Sequence, residues 1–263
     1  MHKHLLTIIT ALASLTLVQA QAPVNVQAVD LGLSVKWASC NVGADTVEGR
    51  GNFYAWGETE PKTDYSWETY KHANGANNKL TKYCDDGNWG NDGFADGKTS
   101  LEPDDDVAYQ KWGRDWRIPS YEEWKELYAN CTVVSTTQNG VDGHKVTSNI
   151  NGNSIFLPTA GVFNVTTVDM KSGGFYWSSS LVHRLSDTAW SVRNYYHIVG
   201  TNTGDRQRGM LVRPVQGDYD SITDTPDIRT ATPAAARKVL RNGQVLILRN
   251  GVYYDVHGRV QNP

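Results

Sequence analysis

The tryptophans of this chain are confined to its middle, and that distribution constrains the fold more than any other feature. All nine lie between Trp37 and Trp190 in a sequence of 263 residues. Large aromatic rings bury much apolar surface and dominate the cores that contain them. The 24 Gly and 13 Tyr also indicate a turn-rich domain rather than a helical bundle. The sequence therefore predicts one aromatic-rich domain with appendages.

A helix start lies inside this region, in the stretch Trp116-Arg117-Ile118-Pro119-Ser120-Tyr121-Glu122-Glu123-Trp124. Ser120 is a favourable N-cap, and Glu123 stands three residues later, where it completes a capping box. Apolar residues recur at helical spacing from Trp124 onward. The pattern predicts a helix over about 121–130 whose aromatic side docks on the core.

Most of the remaining elements have strand patterns. Alternating residues predict a strand pair over 29–38, and the turn signals Asn139-Gly140, Asp142-Gly143 and Asn151-Gly152 separate later runs. Further strands are predicted over 154–157, 175–180, 189–196 and 210–215. The order is mixed strands, one or two helices and then antiparallel strands. It indicates an α+β fold rather than alternating βαβ units.

The N-terminus has the pattern of an export signal. Lys3 precedes the apolar run 5–18, and Val18-Gln19-Ala20 offers small residues at a cleavage point, so 1–20 is predicted to be a signal peptide. The run is short for a membrane span, although an uncleaved anchor is the alternative. No later segment is apolar for long enough. We expect a mature chain without a transmembrane segment, secreted or held at the outer cell surface.

Composition divides the rest of the chain into three parts. A dense domain is predicted over 29–216. A polar linker over 217–236 follows, with Tyr219 as its one aromatic residue. In the tail, 237–263, two Asn-Gly turns between apolar runs predict a small β-hairpin unit.

Charge and cysteine content narrow the classes of function. The net charge is −3 and the pI about 6.2, so the chain has no basic surplus and nucleic acid is not an expected partner. The three cysteines, Cys40, Cys84 and Cys131, leave at least one thiol unpaired within the chain. The sequence does not fix which pair forms a disulfide, if any does. Their spacing is poor for zinc, and buried small side chains are the simplest interpretation.

Seven stretches form an ordered series of motifs: 30–44, 54–59, 101–106, 116–124, 151–158, 176–180 and 212–215. The series resembles the Fibrobacter succinogenes major paralogous domain family and covers most of 29–216. That family is a branch of the C-type lectin-like fold, found mostly in exported proteins of Bacteroidota, and most of its members have no assigned activity. The resemblance implies a C-type lectin-like mixed domain.

The tail from Lys238 to Arg259 is similar to short C-terminal segments of exported proteins in the same bacteria. Those segments look like sorting signals for secretion across the outer membrane. The similarity implies the export machinery as a partner of the tail. A plain structural hairpin is the alternative.

Catalytic chemistry is weakly signalled. The helix opening at 117–124 is also similar to that of the formylglycine-generating enzymes, in which a late cysteine pair performs the oxidation. Here no cysteine follows Cys131, so that chemistry is expected to be absent. Ser178 to Ser180 with His183 and Asp187 form a poor triad signal, because no elbow glycine pattern surrounds the serines. The sequence predicts no catalytic residue and no enzyme.

Acidic residues crowd the loop 85–106, opposed only by Lys98. Hard oxygen ligands on a Gly- and Asn-rich loop suit Ca²⁺, although the spacing is not that of an EF-hand. The alternative is a solvated loop in which Asp104 and Asp105 cap a helix. Ca²⁺ is thus the one cofactor that the sequence suggests. Its candidate ligands are Asp92, Glu102, Asp104 and Asp106.

The last third of the domain offers the best surface for a ligand. Tyr and Asn combine rigid contact area with adaptable hydrogen bonding, and here they lead into the loop 200–208. In the C-type lectin-like fold this region usually forms the exposed recognition face. The predicted ligand-binding residues are Arg193, Asn194, Tyr195, Tyr196, His197, Asn202 and Arg206.

The sequence thus predicts an exported, non-catalytic binding protein that displays a recognition face for a surface glycan or a protein. Two alternatives stay open. One is an enzyme, either related to the formylglycine-generating oxidases or a hydrolase. The other is a structural subunit of a surface fibre, which an unpaired edge strand in the tail would support.

Overall fold

A computed structural model gives the structure of the protein, and it divides the chain into two compact units, Met1–Thr223 and Asp224–Pro263. The predicted signal peptide and most of the predicted linker lie outside the described residues. The structure describes residues 21–170, 173–195, 198–217, 219, 237–241, 244–249, 252–254 and 260–261.

The first unit contains two α-helices and twelve strands among the described residues. The helices are α1 (Val107–Trp112) and α2 (Tyr121–Asn130). The early strands are β1 (Ala28–Val29), β2 (Lys36–Ala38), β3 (Trp116–Arg117), β4 (Cys131–Gln138), β5 (Val141–Ser148) and β6 (Ser154–Pro158). The later ones are β7 (Val162–Asn164), β8 (Thr167–Asp169), β9 (Gly174–Leu181), β10 (Thr188–Tyr195), β11 (Ile198–Asp205) and β12 (Val215–Gln216).

These elements confirm the α+β class. The strands pair antiparallel in small sheets of order β1-β2-β12-β3, β4-β5-β6, β7-β8 and β11-β10-β9. In the first sheet Val215 pairs with both Trp37 and Arg117, so the end of the unit closes against its beginning. Neither helix is long and apolar enough to cross a membrane, and this holds for all the described residues.

The sheet β11-β10-β9 separates two hydrophobic cores. Tyr176 and Trp177 are neighbours on β9, so their side chains point to opposite faces. Tyr176 packs with Trp124 of α2 in one core, and Trp177 packs with Trp56 in the other. The indole N–H groups of Trp177 and Trp56 donate to the carbonyls of Tyr54 and Ser178, both at 2.8 Å. The buried rings therefore pack without leaving these donors unpaired.

Helix α2 begins as the sequence predicts. The Ser120 hydroxyl accepts from the N–H of Glu123 at 3.2 Å, and the Glu123 carboxylate accepts from the N–H of Ser120 at 2.8 Å. The same carboxylate accepts two hydrogen bonds from the buried Arg117 guanidinium, at 2.8 and 2.6 Å. The capping box therefore also supplies the counter-charge of a buried arginine.

The hairpin β4–β5 corrects one of the predicted turns. Asn139 and Gly140 have φ of 48° and 79°, as a type I′ turn between the paired residues Gln138 and Val141 requires. The second signal, Asp142-Gly143, lies within β5 instead. Gly143 faces Phe156, and a Cβ on it would come within 2.4 Å of that ring. The glycine serves close packing rather than a turn.

The second unit contains four strands among its described residues, β13 (Arg237–Arg241), β14 (Gln244–Arg249), β15 (Val252–Tyr254) and β16 (Val260–Gln261). Each pairs antiparallel with the next in sequence, which gives a sheet of order β13-β14-β15-β16. The tail is thus a small β unit, as its two Asn-Gly signals predict.

Candidate functional site

A cavity of about 720 Å³ opens beside the C-terminal end of β10. This volume lies within the range of small-molecule sites. Its walls, as far as the described residues form them, include hydroxyl, carboxylate, imidazole and phenol groups. The lining consists of Ser135, Thr136, Thr137, Asp142, Gly143, His144, Thr159, Met170, Gly173, Asn194 and Tyr195.

One wall of the cavity is a ladder of polar pairs across the β4–β5 hairpin. Ser135 stands opposite His144 with 3.2 Å between hydroxyl and Nε2, and the Thr137 hydroxyl donates to the Asp142 carboxylate at 2.7 Å. These side chains share one face of the hairpin because residues two apart on a strand point the same way. The type I′ turn fixes their register and hence the shape of the wall.

The other wall is formed where β9 and β10 meet. Gly173 has a φ of 106°, and a Cβ there would come within 2.6 Å of the Asn194 carbonyl. Only glycine fits this approach. Tyr195 is half-buried at the rim. Its ring centroid lies 4.9 Å from the Arg193 guanidinium, which is also 5.4 Å from the Phe175 ring. The stack orients Tyr195 by cation–π attraction.

The predicted ligand-binding residues are not all on this surface. Asn194 is among the lining residues but is only 1% exposed, and its Oδ1 accepts from the Tyr128 hydroxyl at 2.7 Å. Asn202 is half-buried on β11, where its amide donates to Ser191 and to the Thr203 carbonyl. Tyr196 and His197 lie outside the described residues.

The prediction that Arg206 contacts a ligand is wrong. Its side chain is 0% exposed and lies over the rings of Trp56 and Tyr70. The guanidinium donates to the carbonyls of Lys82, Tyr83 and Ser186 at 2.7 to 3.0 Å, and to the Tyr70 hydroxyl at 3.0 Å. Its donors hold loops together and do not reach the surface.

The predicted calcium ligands do not converge either, and Asp106 shows why. Its side chain is buried and accepts four hydrogen bonds at 2.7 to 3.1 Å. The donors are the N–H groups of Ala108, Tyr109 and Ile118 and the hydroxyl of Tyr219. Asp106 is therefore the N-cap of α1 and a tie to two later segments.

The other candidate ligands also have protein partners or stand apart. Glu102 forms ion pairs with Lys82 and Lys98, Asp92 accepts from Asn91, and Asp104 is exposed. In the part of the chain that the structure describes, no group of three or more His, Cys, Asp or Glu side chains could hold a metal ion. The calcium site at these residues is thus not supported.

The side chains that the sequence offers for catalysis, the serines of 178–180, His183 and the cysteines, are either hydrogen-bonded to other groups or buried. The hydroxyl of Ser178 donates to the Trp190 carbonyl, that of Ser180 accepts from the Tyr121 N–H, and His183 pairs with Asp85 at 2.8 Å. No serine of 178–180 bonds to His183. All three cysteines are buried and free, and burial raises the pKa of each thiol.

Sequence reasoning missed the hairpin wall of the cavity, Ser135, Thr137, Asp142 and His144. The signal was present, because Asn139-Gly140 marks a two-residue turn and fixes which residues on either side stand opposite each other. Treating Asp142-Gly143 as a second turn hid the strand that carries Asp142 and His144.

Comparisons of the chain with protein-family models, with curated proteins and with solved structures found no match. The C-type lectin-like topology therefore stays a prediction from the sequence motifs.

Proposed function

We propose that this protein is an exported, non-catalytic binding protein with a C-type lectin-like domain, which holds a surface glycan or a protein ligand at the cavity beside β10. The observation that carries the proposal is the cavity itself, with Tyr195 at its rim and a wall of paired hydroxyl, imidazole and carboxylate groups. Such a wall offers hydrogen bonds in fixed directions.

The rigidity of the walls supports binding. Arg193 and Phe175 stack beneath Tyr195, and cross-strand hydrogen bonds hold the hairpin side chains. A ligand that meets ordered side chains loses less entropy in ordering them.

The arrangement of reactive groups supports a non-catalytic reading. The thiols are buried with raised pKa values, and the serines of 178–180 are not bonded to His183. An activated nucleophile needs a base within hydrogen-bond reach. The predicted signal peptide and the β tail support display at the cell surface.

The proposal is tested by applying the mature protein to an array of bacterial and host glycans and to an array of cell-surface proteins. We expect a binder on at least one array, and Tyr195→Ala to weaken that binding about tenfold by removing the rim contact. Thr203→Ala, at an exposed position that is not in the lining, should bind like wild type.

The melting temperature of Tyr195→Ala should stay close to that of wild type, and EDTA should not change the affinity. Wild-type affinity of a folded Tyr195→Ala protein would reject this site. Turnover of a bound compound would reject the non-catalytic assignment.

A further inference from the structure

A second cavity, of about 360 Å³, opens on the first unit. Among the described residues, its walls come from the segment 42–61 and the C-terminal end of α1, together with Gln21 and Pro23. None of these residues lines the cavity beside β10. A cavity of this volume suits a small molecule.

Tyr54 contributes a hydrogen-bond donor that the described residues leave unused. It is 2% exposed and lines the cavity. The hydroxyl oxygen accepts from Asn52 Nδ2 at 3.4 Å, and the hydroxyl donates to none of the described residues. Burial raises the pKa of Tyr54, so the hydroxyl keeps its proton at neutral pH. A buried donor without an acceptor is costly, and a ligand oxygen would remove that cost.

The amide of Asn52 is held beside this hydroxyl by the backbone of the preceding loop. The Asn52 N–H donates to the Val42 carbonyl at 3.1 Å. Gly43 has a φ of 82°, and a Cβ there would come within 2.5 Å of Asn52 Nδ2. Only glycine allows this approach. The amide nitrogen carries two protons and has one acceptor among the described residues, so the second proton remains for a ligand oxygen.

Carboxylates stand at the exposed part of this lining. Asp45 and Glu60 both line the cavity and are exposed. Glu60 forms an ion pair with Lys111 of α1, which compensates its charge. The Asp45 carboxylate is therefore the group that attracts a cationic part of a ligand.

Apolar side chains complete the described walls. Trp112 is 5% exposed and Val42 is 2% exposed, and both line the cavity with Pro61. An indole ring offers a large apolar surface to the carbon atoms of a ligand. The cavity thus combines buried donors, an exposed carboxylate and apolar walls.

We propose that this cavity binds a free α-amino acid, whose carboxylate accepts from Tyr54 and Asn52 and whose ammonium group faces Asp45. Hydrogen bonds to a carboxylate are about twice as strong as those between neutral groups. A ligand with only negative charge would meet the carboxylates of Asp45 and Glu60, and one with only positive charge would leave the Tyr54 donor unused. The zwitterion satisfies both ends of the cavity.

Isothermal titration calorimetry of the mature protein with each of the standard amino acids tests the site. At least one should bind with a Kd of about 1 mM or tighter. The amide and the N-acetyl derivative of that amino acid should each bind about tenfold more weakly, because the first lacks the carboxylate and the second lacks the ammonium group.

Three variants make the test specific. Tyr54→Phe keeps the ring and removes the donor, so it should weaken binding of that amino acid about tenfold. Tyr109→Phe removes a hydroxyl from a residue outside the lining and should bind like wild type. Asp45→Asn should weaken the free amino acid about fivefold and leave the affinity for the N-acetyl derivative unchanged. Melting temperatures close to wild type would show that each variant folds.

No binding of any amino acid up to about 10 mM would overturn the proposal. So would equal affinity for the amide derivative, or wild-type affinity of a folded Tyr54→Phe protein. These affinities do not depend on the cavity beside β10, so failure of the proposed function would leave them unchanged.

Discussion

His72 is a buried imidazole in the middle of a charged network. It is 4% exposed, its Nε2 lies 2.9 Å from the Gly57 carbonyl, and Asp105 is 3.6 Å away. Burial lowers the pKa of His72 from 6.5 to about 4. Burial opposes ionisation of Asp105 too, but hydrogen bonds from Lys71 and Lys82 outweigh it and hold that pKa at about 2.

The two groups destabilise the fold in different pH windows. A histidine with a lowered pKa is protonated more readily in the unfolded chain than in the folded one. The free energy of unfolding is therefore at its full value above pH 6.5 and falls as the pH decreases from 6.5 through about 4. For His72 the loss is on the order of 3 kcal/mol. The stabilisation of the folded state by ionised Asp105 is lost only as the pH falls below 3.8, the ordinary pKa of an aspartate.

Urea unfolding at about pH 7 and about pH 4.5 tests this window. His72→Gln keeps a donor for the Gly57 carbonyl but cannot titrate, so its stability should fall much less over that interval than that of wild type. His183→Gln, at a histidine side chain that is 74% exposed, should keep the wild-type loss. An unchanged loss in His72→Gln would assign the pH dependence to other groups.

Single residues also show where sequence reasoning ended. Tyr195 could be placed at a binding surface from its neighbours and strand pattern, and it does line the cavity. Arg206 and Asp106 have equally polar surroundings in sequence, yet both are buried. Their partners include backbone groups such as the Lys82 carbonyl and the Ile118 N–H. Residue type does not reveal such partners, because they depend on how distant segments meet.

At the scale of one element, the stability of α2 depends on Glu123, whose carboxylate has two roles. Its carboxylate caps the helix start and faces the buried Arg117 guanidinium. Removing one member of a buried ion pair leaves the other without compensation, which costs several kcal/mol. We expect Glu123→Gln to destabilise the domain by about 3 kcal/mol, and Ser120→Ala, which removes only a cap acceptor, by about 1 kcal/mol.

Equilibrium urea unfolding of the two variants measures both costs. Glu122→Gln is the matched control, because Glu122 is exposed on the same turn and, among the described residues, pairs only with exposed Lys125. Its effect should stay within about 0.5 kcal/mol. Equal destabilisation by the Glu122 and Glu123 changes would contradict the assignment.

Elements with local signals were predictable and those made by distant contacts were not. The capping box of α2 and the turn at Asn139-Gly140 involve residues three or fewer apart, so the sequence displays them. Helix α1 is six residues long, and its cap, Asp106, also bonds Ile118 and Tyr219. The strand predicted over 210–215 is divided into bridges at Met210 and Leu211 and the short strand β12, because its backbone pairs with several separate segments.

For the whole molecule, the three thiols predict how the protein responds to reducing agents and to thiol reagents. Cys40, Cys84 and Cys131 are buried and unpaired, and burial raises the pKa of each. Since no disulfide constrains the fold, a reducing agent should not change the melting temperature. A thiol reagent should react slowly with the native protein and then count three thiols after denaturation. Rapid native labelling or a lower melting temperature on reduction would contradict this.

The buried guanidiniums near the end of the first unit determine when the fold of that unit can be completed. Arg213 donates to the carbonyls of Ala38 and Phe156, and Arg206 to that of Lys82. Synthesis runs from the N-terminus, so these carbonyls are made before the guanidiniums that donate to them. Contacts of such long separation slow closure. The nascent first unit therefore lacks these hydrogen bonds until position 213 has been added.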